Sequence, residues 1–428
     1  MIERHARDRQ SAMFLTSGFL IILLSLLFSC SARPPVKKQE VAELVMETLV
    51  IRPQGELLDA QSLFEEGIGA FQGQLFSKCE GHLKSYLEHF SSEIYTHAAH
   101  YNLGLCLEFQ RKYREAAHHF EQYYQLSKED SDRLDGAVRL GYNWVFSDRP
   151  HDAITLYDEL LTTYPLKGFD RAECHLRRAM ARLSLSRYAE ADRDLSAAIS
   201  HIYGAIGSQI QGNEALAEVH FQRGEVYRRH MGEIELKLPL SRIKRSIADK
   251  TRFFRKSLHA YVSSIKVNHT YWAIAAGHQL GVLHEDIYED LLNAEYPTDF
   301  DDETRAYYFF ELDKKLAPLL RESITIYEKT ITISATQGAG NTWVQSTKSS
   351  LVRLRKIEAE LQKRLAMDPL EAYQRKTELP FKREPVIVPL PPTPKDQGET
   401  DDHNSRESRD SSERSDRKHN ADSNSSAN

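Results

Sequence analysis

The sequence predicts an all-α protein built as a stack of paired helices, and three observations carry that prediction. Between residues 63 and 365, apolar side chains recur at helical spacing and short polar turns interrupt them. Alternating runs typical of strands are almost absent from the same region. Small side chains recur at one position of a repeating unit, with spacings of 37, 37 and 38 residues, at Gly67, Gly104, Gly141 and Ala179.

The amino-terminal segment, residues 1–29, has the layout of a lipoprotein signal peptide. Three arginines precede an apolar run at residues 13–28, which is shorter than the roughly 20 residues that a membrane-spanning helix needs. The run ends at Leu27-Phe28-Ser29-Cys30, which resembles a bacterial lipobox, although that pattern has a smaller residue in place of Phe28. We therefore expect lipidation, with palmitate among the acyl groups, at Cys30. Cleavage after Ala32 and an uncleaved anchor are the alternatives.

Acyl chains at Cys30 would also set the location of the protein. Two or more chains hold a protein stably on a bilayer, whereas one chain holds it only marginally. In well-studied envelope lipoproteins, a residue other than aspartate after the cysteine, here Ser31, directs the protein to the outer membrane. We expect a body that is lipid-anchored to the cell outer membrane and faces the periplasm. Residues 30–58, where prolines and lysines replace helical periodicity, are the predicted tether.

Three cysteines remain after Cys30, at positions 79, 106 and 174. Three is an odd number for a compartment where disulfides form, and no two of the cysteines make a CxxC motif. We expect all three to be small side chains that pack between helices. A bridge between Cys79 and Cys106 is the alternative, which their spacing does not support.

Residues 59–203 contain four repeats that resemble the tetratricopeptide repeat (TPR). The second repeat reads Tyr101-Asn-Leu103-Gly104 on its first helix and Ala116-x3-Phe120 on its second, similar to the TPR pattern W-x2-L-G-x2-Y followed by A-x3-F. The second half of the pattern recurs as Ala153-x3-Tyr157 and Ala191-x3-Leu195. A small residue where two helices cross allows their close approach. The resemblance implies a right-handed superhelical solenoid of helix pairs.

Residues 204–365 are interpreted as degenerate TPR-like helical repeats. Gly224 and Gly281 mark a fifth and a sixth unit, and the longer distance between them predicts an insertion at residues 232–252, after which the second helix of the fifth unit resumes. Two further helices are expected at residues 304–332 and 343–365.

The segments that flank these last helices are also assigned from composition. The acidic residues at 299–303 fit a helix start, where the helix dipole favours carboxylates, and a calcium site is the alternative. Residues 366–379 are the predicted linker. Residues 380–428 are rich first in proline and then in polar and charged residues, so we expect a disordered tail.

No catalytic signature stands in a convincing context, so we expect neither an enzyme nor a bound cofactor or metal. His118-His119 and the pair His278 and His284 lack a further ligand at zinc-like spacing and are interpreted as core or surface histidines. Asp192 and Asp194 point in different directions on a helix and are interpreted as a solvated face. The net charge of -6 over 428 residues gives no field that would recruit nucleic acid, and no small-molecule substrate is predicted.

Two candidate binding surfaces follow from the repeat pattern. First-helix side chains line the concave face of a TPR array, and here those positions predict an apolar, partner-binding groove. The groove residues are Phe64, Ile68, Phe71, Tyr101, Leu105, Phe109, Val138, Tyr142, Phe146, Leu176, Met180 and Leu183. Such a groove suits a helix or strand of another protein, unless neighbouring turns or the chain's own tail cover it.

A basic patch is the second candidate surface. Its residues are Arg242, Lys244, Arg245, Arg252, Arg255 and Lys256. It suits lipid headgroups, an anionic cell-wall polymer or an acidic partner, and a solvated insertion is the alternative.

The carboxy-terminal half resembles the TPR lipoproteins of deltaproteobacteria, including that of the myxobacterial adventurous-gliding machinery. The resemblance depends on short stretches such as Ala276-Gly277-His278-Gln279-Leu280-Gly281, Tyr288-Glu-Asp-Leu-Leu292 and Gly340-Asn341-Thr-Trp343. It implies an outer-membrane scaffold that assembles envelope motility proteins.

The leading hypothesis is therefore a lipid-anchored envelope scaffold that binds envelope proteins through a TPR solenoid, as part of a motility or envelope assembly complex. One alternative is an outer-membrane protein assembly factor that binds unfolded barrel segments. Another is a cell-wall enzyme with accessory TPR repeats, for which residues 200–365 offer no set of acid, base and nucleophile.

Overall fold

The computed structural model describes residues 50–51, 57–90, 95–207, 213–335 and 342–375, and nearly all of them are helical. The elements in chain order are β1 (Val50–Ile51), β2 (Leu57–Leu58), α1 (Ala60–Gln72), α2 (Phe76–His89), α3 (Thr96–Phe109), α4 (Tyr113–Leu126), α5 (Asp130–Phe146), α6 (Pro150–Thr163), α7 (Gly168–Ser184), α8 (Tyr188–Ile206), α9 (Glu214–Gly232), α10 (Leu240–Val267), α11 (Thr270–Leu292), α12 (Asp302–Ala335), α13 (Thr342–Leu365) and α14 (Pro369–Gln374).

The helices pack in sequence order as six pairs, and the all-α prediction is confirmed. The first helix of each pair has an odd number and packs on the even-numbered helix that follows it, from α1 on α2 to α11 on α12. Helices α13 and α14 close the stack against α12. The two short strands form one antiparallel pairing, with Val50 opposite Leu58, inside the segment predicted as a tether. The predicted signal peptide, Cys30 and the predicted tail at 380–428 lie outside the described residues.

Glycines mark the points where the two helices of a pair cross, as predicted from the repeat. A Cβ atom added at Gly67 would lie 2.7 Å from the Leu83 side chain, and one at Gly141 would lie 2.6 Å from the Tyr157 ring. The Phe120 ring occupies the corresponding place beside Gly104, at 2.8 Å. Because these distances are well inside van der Waals contact, a larger side chain would force the helices apart.

The turn inside each of the first four pairs has the same short form. One residue in each turn has a positive φ of 56° to 61° at Gln74, Arg111, Asp148 and Ser186. The residue after it donates its backbone N–H to a carbonyl five positions earlier, as from Lys112 to Leu107 at 2.9 Å. This bonding satisfies a carbonyl at the helix end and reverses the chain within three residues. The repeat of 37 or 38 residues is therefore visible in the backbone as well as in the side chains.

The fifth pair contains extra residues, as the predicted insertion at residues 232–252 requires: Tyr261 follows its crossing glycine, Gly224, by 37 residues, whereas Tyr157 follows Gly141 by 16. The predicted restart of the second helix after this insertion is wrong. Residues 233–239 form a loop, but α10 begins at Leu240 and continues without interruption to Val267. The loop is held by Glu295, which donates its N–H to the Leu236 carbonyl at 3.0 Å and accepts the Leu238 N–H at 2.8 Å. The second helix of the fifth pair is thus extended by about three turns at its amino end.

A disulfide joins the first two pairs. Cys79 of α2 and Cys106 of α3 are bonded, with Cα atoms 6.2 Å apart and both side chains fully buried. The expectation that these two cysteines are unbonded packing residues is therefore wrong, because two helices that face each other brought them together. Cys174 is a buried free thiol, as expected, and burial raises its pKa to about 12.

Candidate functional site

The predicted apolar groove is mostly closed. Seven of its twelve residues are buried: Phe64, Phe71, Leu105, Val138, Tyr142, Leu176 and Leu183. Ile68, Tyr101, Phe109 and Met180 are half-buried, and Phe146 is 41% exposed. The first helices bury these side chains against neighbouring helices, so most of the set holds the repeats together and does not form an open groove. Their burial agrees with the alternative hypothesis, in which neighbouring turns of the stack cover these positions.

A line of ion pairs, which we call the charge ladder, connects the first helices of neighbouring pairs. Arg139 of α5 donates to Glu108 of α3 at 2.8 Å, and Asn143 donates to the other oxygen of that carboxylate at 2.7 Å. Further along, Arg177 of α7 bonds Glu218 of α9 at 2.5 Å. The prediction of an apolar face missed these buried charges.

The charge ladder continues into the last helices. Arg228 of α9 lies 2.9 Å from Asp286 of α11, and Arg353 of α13 lies 2.5 Å from Glu285 of α11. Each of these carboxylates faces a guanidinium group. Such pairs fix the spacing of helices, but none supplies an unpaired base for acid–base catalysis.

Arg177 is the most enclosed arginine of the charge ladder. Its guanidinium carbon lies 5.7 Å from the centre of the Tyr142 ring and its side chain is only 6% exposed. Burial opposes the charge of Arg177, but Glu218 and Glu173 hold its pKa above the ordinary value. Arg177 therefore remains charged between two pairs of the stack, at the boundary between α7 and α9.

Two of the incompletely buried residues of the predicted groove, Phe146 of α5 and Met180 of α7, lie on the same helices as Tyr142 and Arg177. Together with Tyr113 of α4, which the groove prediction did not include, we call them the α5–α7 patch. Phe146 stacks on Tyr113 with ring centres 5.0 Å apart, and the Met180 sulfur lies 3.5 Å from Arg177. This patch combines an exposed aromatic ring with a flexible thioether, which are side chains enriched at protein interfaces.

The expectation that Asp194 lies on a solvated face is wrong, because its side chain is buried. It is 3% exposed and accepts hydrogen bonds from Arg178 and Arg182, both at 2.6 Å. Burial opposes ionisation, but bonds from His175 and Arg178 keep the pKa of the Asp194 carboxyl below its usual value. Asp192 points elsewhere, as predicted, and accepts from Tyr227 at 2.7 Å.

Of the histidines singled out from the sequence, His118 is exposed, and the other three occupy packing positions. His278 is buried and lies 3.0 Å from the Thr347 hydroxyl, and His284 bonds the Leu280 carbonyl. His119 faces His100 at 3.0 Å between their Nδ1 atoms, and burial lowers the pKa of His119 to about 3. In the part of the chain that the structure describes, no group of three or more His, Cys, Asp or Glu residues is arranged to hold a metal ion.

The acidic residues before α12 act as the helix start that was predicted. Asp301 accepts the backbone N–H of Thr304 at 2.8 Å, and the hydrogen bonds from Thr304 lower the pKa of the Asp301 carboxyl. This is the hydrogen bond of a helix cap.

The basic patch lies on α10, and all six of its predicted members are exposed. Lys250, which is close to them in sequence, is instead buried: it donates to Asp290 at 2.5 Å and to the Met231 carbonyl at 2.8 Å. Lys250 therefore fixes α10 against its neighbours, while the six other cations face solvent.

None of the helices within the described ranges combines the length and apolar character that crossing a bilayer requires.

Comparisons with known proteins give only distant similarities. No family model and no curated protein matches the chain. A tetratricopeptide repeat protein from Parabacteroides merdae is 13% identical, with 70% of this chain and 98% of that chain covered and a TM-score of 0.34. The apo form of RapI is 12% identical over 70% and 98%, with a TM-score of 0.39.

A TPR repeats protein from Bacteroides fragilis is 14% identical, with 71% of this chain and 98% of that chain covered and a TM-score of 0.24. At these identities and TM-scores, the similarity carries no argument about function. The description of the helix pairs as TPR-like depends on their own crossings and turns.

Proposed function

We propose that this protein is a non-catalytic scaffold of the bacterial envelope, anchored by lipid at Cys30, that binds partner proteins through its stacked helix pairs. The observation that carries the proposal is the repetition of one crossing, a glycine under a large side chain, in five of the six pairs. A repeated stack of this kind provides an extended surface suited to binding other proteins.

Two observations support the envelope location. The lipobox-like sequence ends at Cys30, and the core contains a disulfide between Cys79 and Cys106. Disulfides persist in oxidising compartments such as the periplasm and are rare in the cytosol. The resemblance to deltaproteobacterial lipoproteins adds an outer-membrane position and a role in a motility or envelope assembly complex.

Lipid attachment is tested with an alkyne-bearing palmitate analogue fed to cells that express the full chain. We expect label on the wild type and on Cys174→Ser, and loss of label in Cys30→Ser. Label that persists in Cys30→Ser would contradict the anchor, whatever the result for partner binding.

Partner binding is tested with photo-crosslinking amino acids at the α5–α7 patch. The crosslinker is placed at Phe146 or Met180, and the matched control is Tyr203, which is 42% exposed on α8. We expect the same discrete crosslinked species from positions 146 and 180, and a different pattern or none from position 203. If the three positions give the same pattern, the α5–α7 patch is not the binding surface.

The alternative of a barrel assembly factor is favoured by an open apolar groove and by long loops between repeats. The burial of most apolar first-helix residues between helices removes the first of these two supports. The scaffold proposal does not require an open apolar groove.

A further inference from the structure

The exposed side of α10 carries an unusual density of positive charge. Between Leu240 and Val267 the sequence contains a single acidic residue, Asp249, and the six cations of the basic patch are all exposed. At about 100° per residue, Lys244, Arg245, Arg252 and Arg255 fall within a sector of about 100°. This sector lies opposite the buried residues of the same helix, so the four cations project into solvent together.

These cations are less neutralised than two exposed arginines on α12 and α13. Asp249 lies 3.4 Å from Arg252, and that is the one salt bridge that the basic patch makes to a described residue. By contrast, Arg321 and Arg355 near the carboxy-terminal end pair with Glu358 and Glu328 across helices, at 3.2 and 2.7 Å. The α10 face therefore keeps a net positive field that an external anion can satisfy.

Two apolar side chains lie along one edge of the same face. Leu240 is 57% exposed and Ile247 is 38% exposed. They are two helical turns apart, so they align on one line of the helix with Lys244 beside them. A water-exposed helix surface that mixes cations with large apolar side chains matches the boundary between lipid headgroups and acyl chains. A soluble polyanion would use the cations but would gain nothing from Leu240 and Ile247.

We propose that the exposed face of α10 binds the surface of an anionic phospholipid bilayer, with its cations on headgroup phosphates and with Leu240 and Ile247 in the headgroup boundary. The cationic stretch from position 242 to position 256 extends about 21 Å along the helix, enough for several headgroups. This contact deepens the proposed envelope function by giving the body a second membrane contact, but it does not require lipid at Cys30.

The test uses residues 50–428, which contain every described helix and strand. Removing residues 1–49 also removes the predicted anchor, so failure of the anchor and failure of the α10 face are distinguishable. The measurement is co-flotation with vesicles of phosphatidylcholine alone or with about one third phosphatidylglycerol, at low and at high salt. Circular dichroism and a melting curve establish that each variant is folded.

We expect binding to the phosphatidylglycerol vesicles that is at least about tenfold stronger than binding to phosphatidylcholine and that weakens with salt. Binding to the phosphatidylglycerol vesicles should be at least about tenfold weaker for the triple variant Lys244→Glu, Arg252→Glu, Arg255→Glu. The matched control makes the same change of net charge at exposed lysines of α12 and α13, and it should retain binding. Its substitutions are Lys315→Glu, Lys348→Glu and Lys356→Glu.

The apolar edge separates a bilayer from other anions. Leu240→Ser with Ile247→Ser should weaken vesicle binding several-fold and leave binding to heparin or to double-stranded DNA unchanged. Equal binding to both kinds of vesicle, an equal loss in the control triple variant, or no effect of the apolar changes would overturn the proposal. In the last case, a soluble polyanion is the better occupant.

Discussion

The first four helix pairs and the last two solve the same packing problem with different chemistry. In pairs one to four, a small apolar residue of the second helix, such as Ala116 or Ala153, lies beside the crossing and is fully buried. In the last two pairs that place is taken by Ser257 and Ser323, and each hydroxyl donates to the carbonyl of the crossing glycine, Gly224 or Gly281, at 2.9 Å.

The tyrosines at these two crossings are also anchored by charge. Tyr261 donates to the buried Glu225 at 2.5 Å, and Tyr327 donates to the buried Glu285. The connections differ as well, because the last two pairs have long loops where the first four have short turns. A helix crossing therefore tolerates polar groups when every hydroxyl has a partner.

The largest expected effect is at the boundary between the two regions. Arg177→Met leaves the Glu218 carboxylate buried without its guanidinium, and should lower the free energy of unfolding by about 3–5 kcal/mol. Urea denaturation measures this. Arg355→Met removes an exposed partner of Glu328 and should cost at most about 1 kcal/mol. The double variant Arg177→Met, Glu218→Leu should recover much of the loss, and failure to recover would mean that the charge ladder is not what joins the regions.

The disulfide distinguishes the first two pairs from the rest of the stack. Cys79→Ala with Cys106→Ala should lower the free energy of unfolding by about 2–4 kcal/mol, because the unfolded chain loses a crosslink that closes a loop of 27 residues. Cys174→Ala is the single-cysteine control. If reducing agent destabilises the double variant as much as it destabilises the wild type, the bridge is not the source of the effect.

The apolar crossings are tested by overpacking. Gly141→Leu forces a side chain into the space of the Tyr157 ring and should cost about 1–3 kcal/mol or more. Gly69→Leu lies on α1 with no atom within 4 Å of its added Cβ, so it should be neutral or stabilising. Thermal melting of both variants tests this difference. Equal melting temperatures would contradict the close approach of the two helices at Gly141.

The polar crossings are tested by removing a hydroxyl. Ser257→Ala should cost about 1 kcal/mol, the net contribution of one buried hydrogen bond. Ala153→Ser transfers the hydroxyl to the equivalent place beside Tyr157 and should cost no more than that. A much larger cost for Ala153→Ser, measured by urea denaturation, would show that the two kinds of crossing are not interchangeable.

The smallest expected effect concerns the short turns, which only the first four pairs have. Gln74→Gly removes a side chain from a residue with φ of 58°, and should raise the free energy of unfolding by up to about 1 kcal/mol. Glu159→Gly, inside α6, should instead lower it by about 1 kcal/mol. A destabilising Gln74→Gly would mean that the side chain matters more than the backbone of the turn.

The sequence predicted the features that depend on local spacing. Gly104 and Ala116 mark a crossing because a small residue at a helix contact leaves a regular pattern in the chain. The start of α10 was missed because its exposed cations hide the apolar periodicity on which the prediction depended, with Ile243 as the one apolar residue buried in its first turns.

Features that depend on distant parts of the chain were not predictable in this way. Glu108 and Arg139 are 31 residues apart, and charged side chains normally indicate a solvent-exposed position. Burial of the apolar first-helix residues likewise depends on how closely neighbouring pairs pack, which no single repeat encodes. The exposure of the six cations on α10 needed no knowledge of neighbouring helices, because charged side chains are normally exposed.

The disulfide between α2 and α3 also makes the response of the stack to a pulling force differ between its two ends. In a linear array each end has a neighbour on one side only, so fraying begins at the termini. The sulfur atoms stop such fraying between α2 and α3, beyond α1, whereas α13 and α14 are held by noncovalent contacts alone. Tension applied between the two ends of the chain would therefore not separate α2 from α3, whatever other helices it detaches.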